Sequence, residues 1–156
     1  MRGSFLLPLA VAALGYAIVA VTGGALTDIG PWYRSLAKPS WQPPDWLFGP
    51  VWTTIFILAA VSAALAWRAA GQAERRTVVI LFVANGILNV GWSLLFFHLQ
   101  RPFLAALEVL LLWASIVALI LYVQRFSRPA ALLLIPYLLW VSFATVLNWA
   151  IVTLNP

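Results

Sequence analysis

The chain has 156 residues, 64% hydrophobic and 8% charged, with nine Lys and Arg against four Asp and Glu. A soluble domain carries roughly 25% charged residues, so this composition, with a mean hydropathy of +1.00, describes an integral membrane protein, read as one domain over 1–156. The net charge of +5 is spread singly or in pairs between apolar runs, which excludes a nucleic-acid face, and the absence of Cys excludes disulfides and thiolate chemistry.

Five apolar runs, near 5–26, 46–67, 77–97, 103–123 and 129–151, are each long enough to cross a core of about 30 Å at ~1.5 Å per residue. They are continuously apolar, unlike the alternating strands of a membrane barrel, so the expected fold class is an all-α membrane protein, a five-transmembrane-helix bundle. The first run, with Arg2 before it and the small residues TGGA after it, also resembles a secretory signal. Its apolar length exceeds the ~7–15 residues of a signal core, and a retained helix is expected. Ala13, Ala17, Ala20 and Gly24 form a small-residue stripe along it, suited to close helix packing. The loop from Thr27 to Asp45 is long and rich in Trp and Pro. In the second run Ala59, Ser62, Ala63 and Ala66 make further small stripes that suit packing within the chain or between chains.

Five helices place Arg2, Arg68, Arg75, Arg76, Arg125 and Arg128 on one side, and Arg34, Lys38 and Arg101 on the other. The positive-inside rule then puts the amino terminus in the cytoplasm and the Trp/Pro loop and carboxy terminus outward, in a setting expected to be a bacterial membrane.

Polar groups within the spans converge on the outward half. Asn85, Asn89, Trp92 and Phe96 share one face of the third span; Tyr137, Trp140, Ala144 and Asn148 share one face of the fifth; Trp52 and Phe56 share one face of the second. Aromatic faces with a few amide and phenol tips predict a flat apolar pocket beneath the loop, suited to a planar aromatic ligand. Trp32, Trp41, Trp46, Trp67 and Trp149 fit the interfacial belt of membrane proteins equally well, and Asn85 fits a helix-bridging role. Glu108 is the one acid inside a span, expected to be neutral or bonded to a neighbouring helix. A single His98 and no Cys argue against a metal site.

The segments WYRSLAKPSWQPPDWLFGPVW, NGILNVGWSLLFF and PYLLWVSFATVLN resemble the TspO/MBR family, the tryptophan-rich sensory proteins and mitochondrial translocator proteins once called peripheral benzodiazepine receptors. The resemblance covers nearly the whole chain. It implies a five-helix bundle, often a homodimer in the lipid bilayer, that binds tetrapyrroles such as protoporphyrin IX and drug-like isoquinolines and benzodiazepines. It implies a sensor or regulator of porphyrin metabolism or stress, the alternative being a transporter of porphyrins or sterols. By motif position the ligand-binding residues implied are Tyr33, Trp52, Phe56, Asn89, Trp92, Trp140 and Ala144, to which the helical face adds Asn148. No cofactor is obligatory. Free porphyrin is expected rather than ligated haem, because axial His or Cys is scarce. The enzymatic chemistry that the resemblance implies is at most light-dependent porphyrin breakdown assisted by Trp52 and Trp140. Two departures stand out: Trp149, followed by no Lys or Arg, replaces the Tyr of the family's cholesterol motif, and Phe56 removes a phenol many members carry.

Overall fold

The structure, a computed structural model, describes residues 4–156; Arg2 lies outside them. Among the described residues it is all-helical, with α1 (Leu6–Leu26), α2 (Pro31–Ser35), α3 (Asp45–Ala69), α4 (Gln72–Ser93, continued by a π-helical turn Leu94–His98), α5 (Pro102–Val123), α6 (Arg128–Leu133) and α7 (Ile135–Leu154). Five continuous stretches are long and apolar enough to cross a membrane: Leu6–Leu26, Asp45–Ala69, Gln72–His98, Pro102–Val123 and Arg128–Leu154. The third begins at Gln72 rather than near 77, because Gln, Ala, Glu and Arg are good helix formers and Glu74 complements the positive end of the helix dipole. Hydropathy falls at these charges, whereas helical geometry does not.

Helix α1 packs on α3 and α4, α5 packs against both α4 and α7, and α6 docks on α3 and α5. The face that α1 turns inward is Ala12, Tyr16, Val19 and Gly23, while the stripe Ala13, Ala17, Ala20 and Gly24 is exposed. Two local constraints on α4 set this rotation. The Tyr16 hydroxyl donates to Asn85 Oδ1 at 3.3 Å, and Gly86 lets Val19 approach so closely that an added Cβ would lie 3.1 Å from Val19 Cγ2. The small residues of α3 pack within the chain: Ala59, Ser62 and Ala66 are fully buried.

The fifth crossing is broken at Leu134. Pro136 has no N–H and its ring crowds the preceding turn, and the Leu134 N–H bonds the Ala131 carbonyl rather than that of Ala130. The Ala130 carbonyl is taken instead by Ser62 Oγ at 2.7 Å, in a fully buried position between α3 and α6. Lipid supplies no replacement donor. Ser62→Ala is therefore expected to destabilise the detergent-solubilised protein by about 1–3 kcal/mol. Thermal unfolding beside wild type checks this, and an unchanged midpoint contradicts it.

Candidate functional site

A cavity of about 440 Å³ lies between α1, α3, α4 and α7, roofed by the loop that contains α2. Three aromatic walls line it. On α3, Trp52 stacks on Phe56 with centroids 5.4 Å apart and meets Tyr137 edge-on at 6.1 Å. On α4, Trp92 stacks on Phe96 at 5.2 Å. On α7, Trp140 lies 5.5 Å from Phe48 and 5.4 Å from Phe143. The π-helical turn adds a further ring, since its wider coil lets Phe97 join Phe96 in the lining, with their centroids 4.9 Å apart.

The roof is a latched lid. Pro31 starts α2 at its first turn, where a missing N–H costs nothing. The buried Tyr33 hydroxyl donates to Asp45 Oδ1 at 2.9 Å and accepts from Gln42 Nε2 at 3.1 Å, joining the lid to the start of α3. Lys38 Nζ donates to the Tyr33 and Leu36 carbonyls and lies 4.3 Å from the Tyr33 ring centroid. At the other edge, Asn155 grips Ala37 twice, accepting its N–H at Oδ1 and donating Nδ2 to its carbonyl, both at 2.9 Å. The lid is thereby tied to the end of α7.

Beneath it, a hydrogen-bonded chain crosses the bundle. Asn89 Nδ2 donates to the Tyr137 hydroxyl at 3.0 Å, Tyr137 donates to Asn85 Oδ1 at 3.1 Å, and Asn85 Nδ2 donates to Ser115 Oγ at 3.0 Å. Asn148 accepts from Trp92 Nε1 at 2.9 Å and donates to the Pro102 carbonyl at 3.0 Å. Trp140 Nε1 and Gln42 Oε1 are buried and have no partner among the described residues, and both side chains line the cavity.

All eight residues singled out from the sequence, Tyr33, Trp52, Phe56, Asn89, Trp92, Trp140, Ala144 and Asn148, line this one cavity. Their polar capacity is distributed differently from expectation, because the Asn148 amide and the Trp92 indole N–H are spent on each other and on Pro102. Asn85 bridges α1, α5 and α7 and is structural. Gln42, Asp45, Phe48, Phe97 and Leu147 line the cavity without having been singled out. The periodicity of the spans could not reach Gln42 and Asp45, which arrive through the fold of the loop. His98 is exposed at the end of the π-helical turn. Glu108 does not bond a neighbouring helix: both carboxyl oxygens are buried without a partner among the described residues, and the residue opposite is Gly91.

The model of the TspO/MBR family matches residues 6–154. The chain is 47% identical over 129 residues to the tryptophan-rich protein TspO of Chlorobaculum tepidum, covering 80% of each chain. It is 38% identical over 149 residues to the tryptophan-rich protein TspO of Archaeoglobus fulgidus, covering 94% of this chain and 93% of the other. To the translocator protein of Homo sapiens it is 36% identical over 122 residues, covering 77% and 72%.

The lid carries its own pH signature. Burial, and then the bond to Asp45, push the Tyr33 phenol up to about 12, against ~10 for an unfolded tyrosine. A raised folded value means that the stabilisation is complete below about pH 10 and is lost as pH rises through about 12. The phenolate absorbance difference between wild type and Tyr33→Phe is expected to develop only in that late window; ionisation near pH ~10 contradicts the latch.

Proposed function

The chain belongs to the TspO/MBR family, and from that premise we propose that it binds a tetrapyrrole such as protoporphyrin IX in the cavity beneath the lid, as a membrane sensor or regulator of porphyrin metabolism or stress. The observation that carries the reading is a cavity walled by Trp52, Trp92 and Trp140 in which one indole N–H, Trp140 Nε1, is buried with no partner among the described residues. Flat π-faces favour a flat aromatic partner, and a buried unpaired donor costs free energy until an acceptor reaches it. A pyrrole nitrogen or a propionate oxygen is such an acceptor. Asn89, whose Nδ2 is committed to Tyr137, has its amide oxygen to offer a pyrrole N–H. The volume lies within the roughly 300–1,000 Å³ of small-molecule sites, and isoquinoline and benzodiazepine-type drugs would compete there.

In this reading Trp52 and Trp140, on α3 and α7, flank the bound ring closely enough to be oxidised or to pass electrons when the porphyrin is excited. Light-dependent porphyrin loss is then a side property of binding. The end that carries Arg68, Arg75, Arg76, Arg125 and Arg128 is assigned to the cytoplasm and the lid outward, by the charge asymmetry of the loops.

The test is a protoporphyrin IX titration followed by tryptophan quenching, with an isoquinoline ligand as competitor. Replacing both walls, Trp52→Phe with Trp140→Phe, is expected to weaken binding at least about tenfold, from lost stacking and the lost indole donor. Unchanged affinity in a folded double variant would falsify the site. Under light, porphyrin absorbance should decay faster with wild type than with the double variant.

A further inference from the structure

The four tyrosines of the chain differ as electron donors, and the difference lies in what each hydroxyl meets. A phenol gives up an electron readily only when a base takes its proton in the same event, because the ring that has lost an electron is a very strong acid. Tyr16 and Tyr137 both donate to the Asn85 amide oxygen, which is not a base. Tyr122, near the end of α5, has the Arg125 guanidinium 5.1 Å from its ring centroid. Among the described residues only Tyr33 donates to a carboxyl group, Asp45 Oδ1 at 2.9 Å. Burial and then that bond push the Tyr33 phenol up to about 12, so at neutral pH the proton is still on the oxygen. The Lys38 ammonium, 4.3 Å from the Tyr33 ring centroid, opposes positive charge on the ring, so the proton has to leave with the electron. Asp45 is exposed, and the proton it receives stays at the open edge of the lid.

Tyr33 is also connected to the cavity wall. Its ring centroid lies 5.6 Å from that of Phe97, and Phe97 lies 5.8 Å from Trp92. The three rings form one run of contacts from lid to wall. At the inner end, the Trp92 indole N–H is donated to the Asn148 amide oxygen at 2.9 Å. An amide cannot take the indole proton, so a Trp92 that has lost an electron keeps its N–H and remains a strong oxidant. The other two walls are built differently. Trp52 meets Tyr137 edge-on at 6.1 Å, but the Tyr137 hydroxyl ends on Asn85. Trp140 is flanked by Phe48 and Phe143, which have no proton to give.

We propose, on the reading that a porphyrin occupies the lid cavity, that Tyr33 is a redox-active residue that restores photo-oxidised Trp92 through Phe97, with Asp45 as the base. In light, the electron that Trp92 loses passes by way of the bound ring to dioxygen, which leaves as superoxide. Trp92 then recovers one electron from Tyr33, and the Tyr33 hydroxyl proton moves to Asp45. One O–H bond breaks at Tyr33 and one forms at Asp45. The products are an intact Trp92, a neutral tyrosyl radical and a neutral Asp45 carboxyl group. The oxidising equivalent is thereby carried from the cavity to the lid. Trp92 survives illumination that damages Trp52 and Trp140.

The experiment illuminates the full chain in detergent, saturated with protoporphyrin IX in oxygenated buffer, with the bound absorbance used to match occupancy between variants. Freeze-trapped electron paramagnetic resonance is expected to show a neutral tyrosyl radical in wild type. That signal should be lost in Tyr33→Phe, which removes the donor, and in Trp92→Phe, which removes the oxidant. It should be lost as well in Asp45→Asn, which keeps an oxygen for the hydroxyl but no base. Peptide mass spectrometry after illumination is expected to find oxygenated Trp52 and Trp140 in wild type with Trp92 intact, and oxygenated Trp92 in addition in Tyr33→Phe and Asp45→Asn. No uptake of porphyrin by wild type would contradict the cavity reading and the relay together. Porphyrin that binds and bleaches without a tyrosyl radical would overturn the relay alone. So would a radical that survives Tyr33→Phe, or Trp92 oxygenated as heavily in wild type as in Tyr33→Phe.

Discussion

A side chain that can hydrogen-bond has no water to turn to inside a bilayer, and this constraint organises the whole bundle. Asn85 is where it acts most heavily. Fully buried on α4, it accepts from Tyr16 of α1 and Tyr137 of α7 and donates to Ser115 of α5. One amide thus fixes the rotation of three neighbouring helices. Ser62 does the same for α3 by closing the carbonyl that the Leu134 break releases. Hydrocarbon contacts alone would give little preference among rotations, because lipid tails solvate Leu and Val as well as protein does.

Against that background the unpaired groups acquire meaning. Trp140 Nε1, Gln42 Oε1 and the Glu108 carboxyl are the buried side-chain groups left without partners among the described residues. Two of the three side chains belong to the cavity lining, Trp140 on the α7 wall and Gln42 in the lid itself, which is held at two edges by Tyr33 and Asn155. Apart from Glu108, the buried side-chain groups without a partner among the described residues lie in the cavity lining. Glu108 is different: it faces Gly91 between α4 and α5.

Much of this was legible in the sequence. The five spans follow from hydropathy and length, and seven of the eight cavity residues follow from shared helical faces at a common depth, while Tyr33, in the loop, was reached only through the family resemblance. The rotation of α1 was not legible, since a small-residue stripe says that a helix can pack closely and not that it does. The choice of Ala12, Tyr16, Val19 and Gly23 over Ala13, Ala17, Ala20 and Gly24 was made by Asn85 and Gly86 on another helix. Long-range pairing also hid which cavity amides were already spent: Asn148 and Trp92 lie far apart in the chain but share a bond. The π-helical turn that brings Phe97 to the cavity leaves no periodic trace. The lid residues Gln42 and Asp45 lie where neither helical nor strand spacing applies.

The central claim is that the cavity binds its ligand through the Trp140 indole N–H, which the fold buries without a partner among the described residues. The direct measurement is the set of indole N–H resonances of isotope-labelled protein during a protoporphyrin IX titration, with Trp140 and Trp92 assigned by Trp140→Phe and Trp92→Phe. The account predicts that the Trp140 resonance moves strongly downfield as its proton gains an acceptor, while that of Trp92, held by Asn148 at 2.9 Å throughout, moves little. A Trp140 resonance that stays in place while porphyrin binds would contradict it.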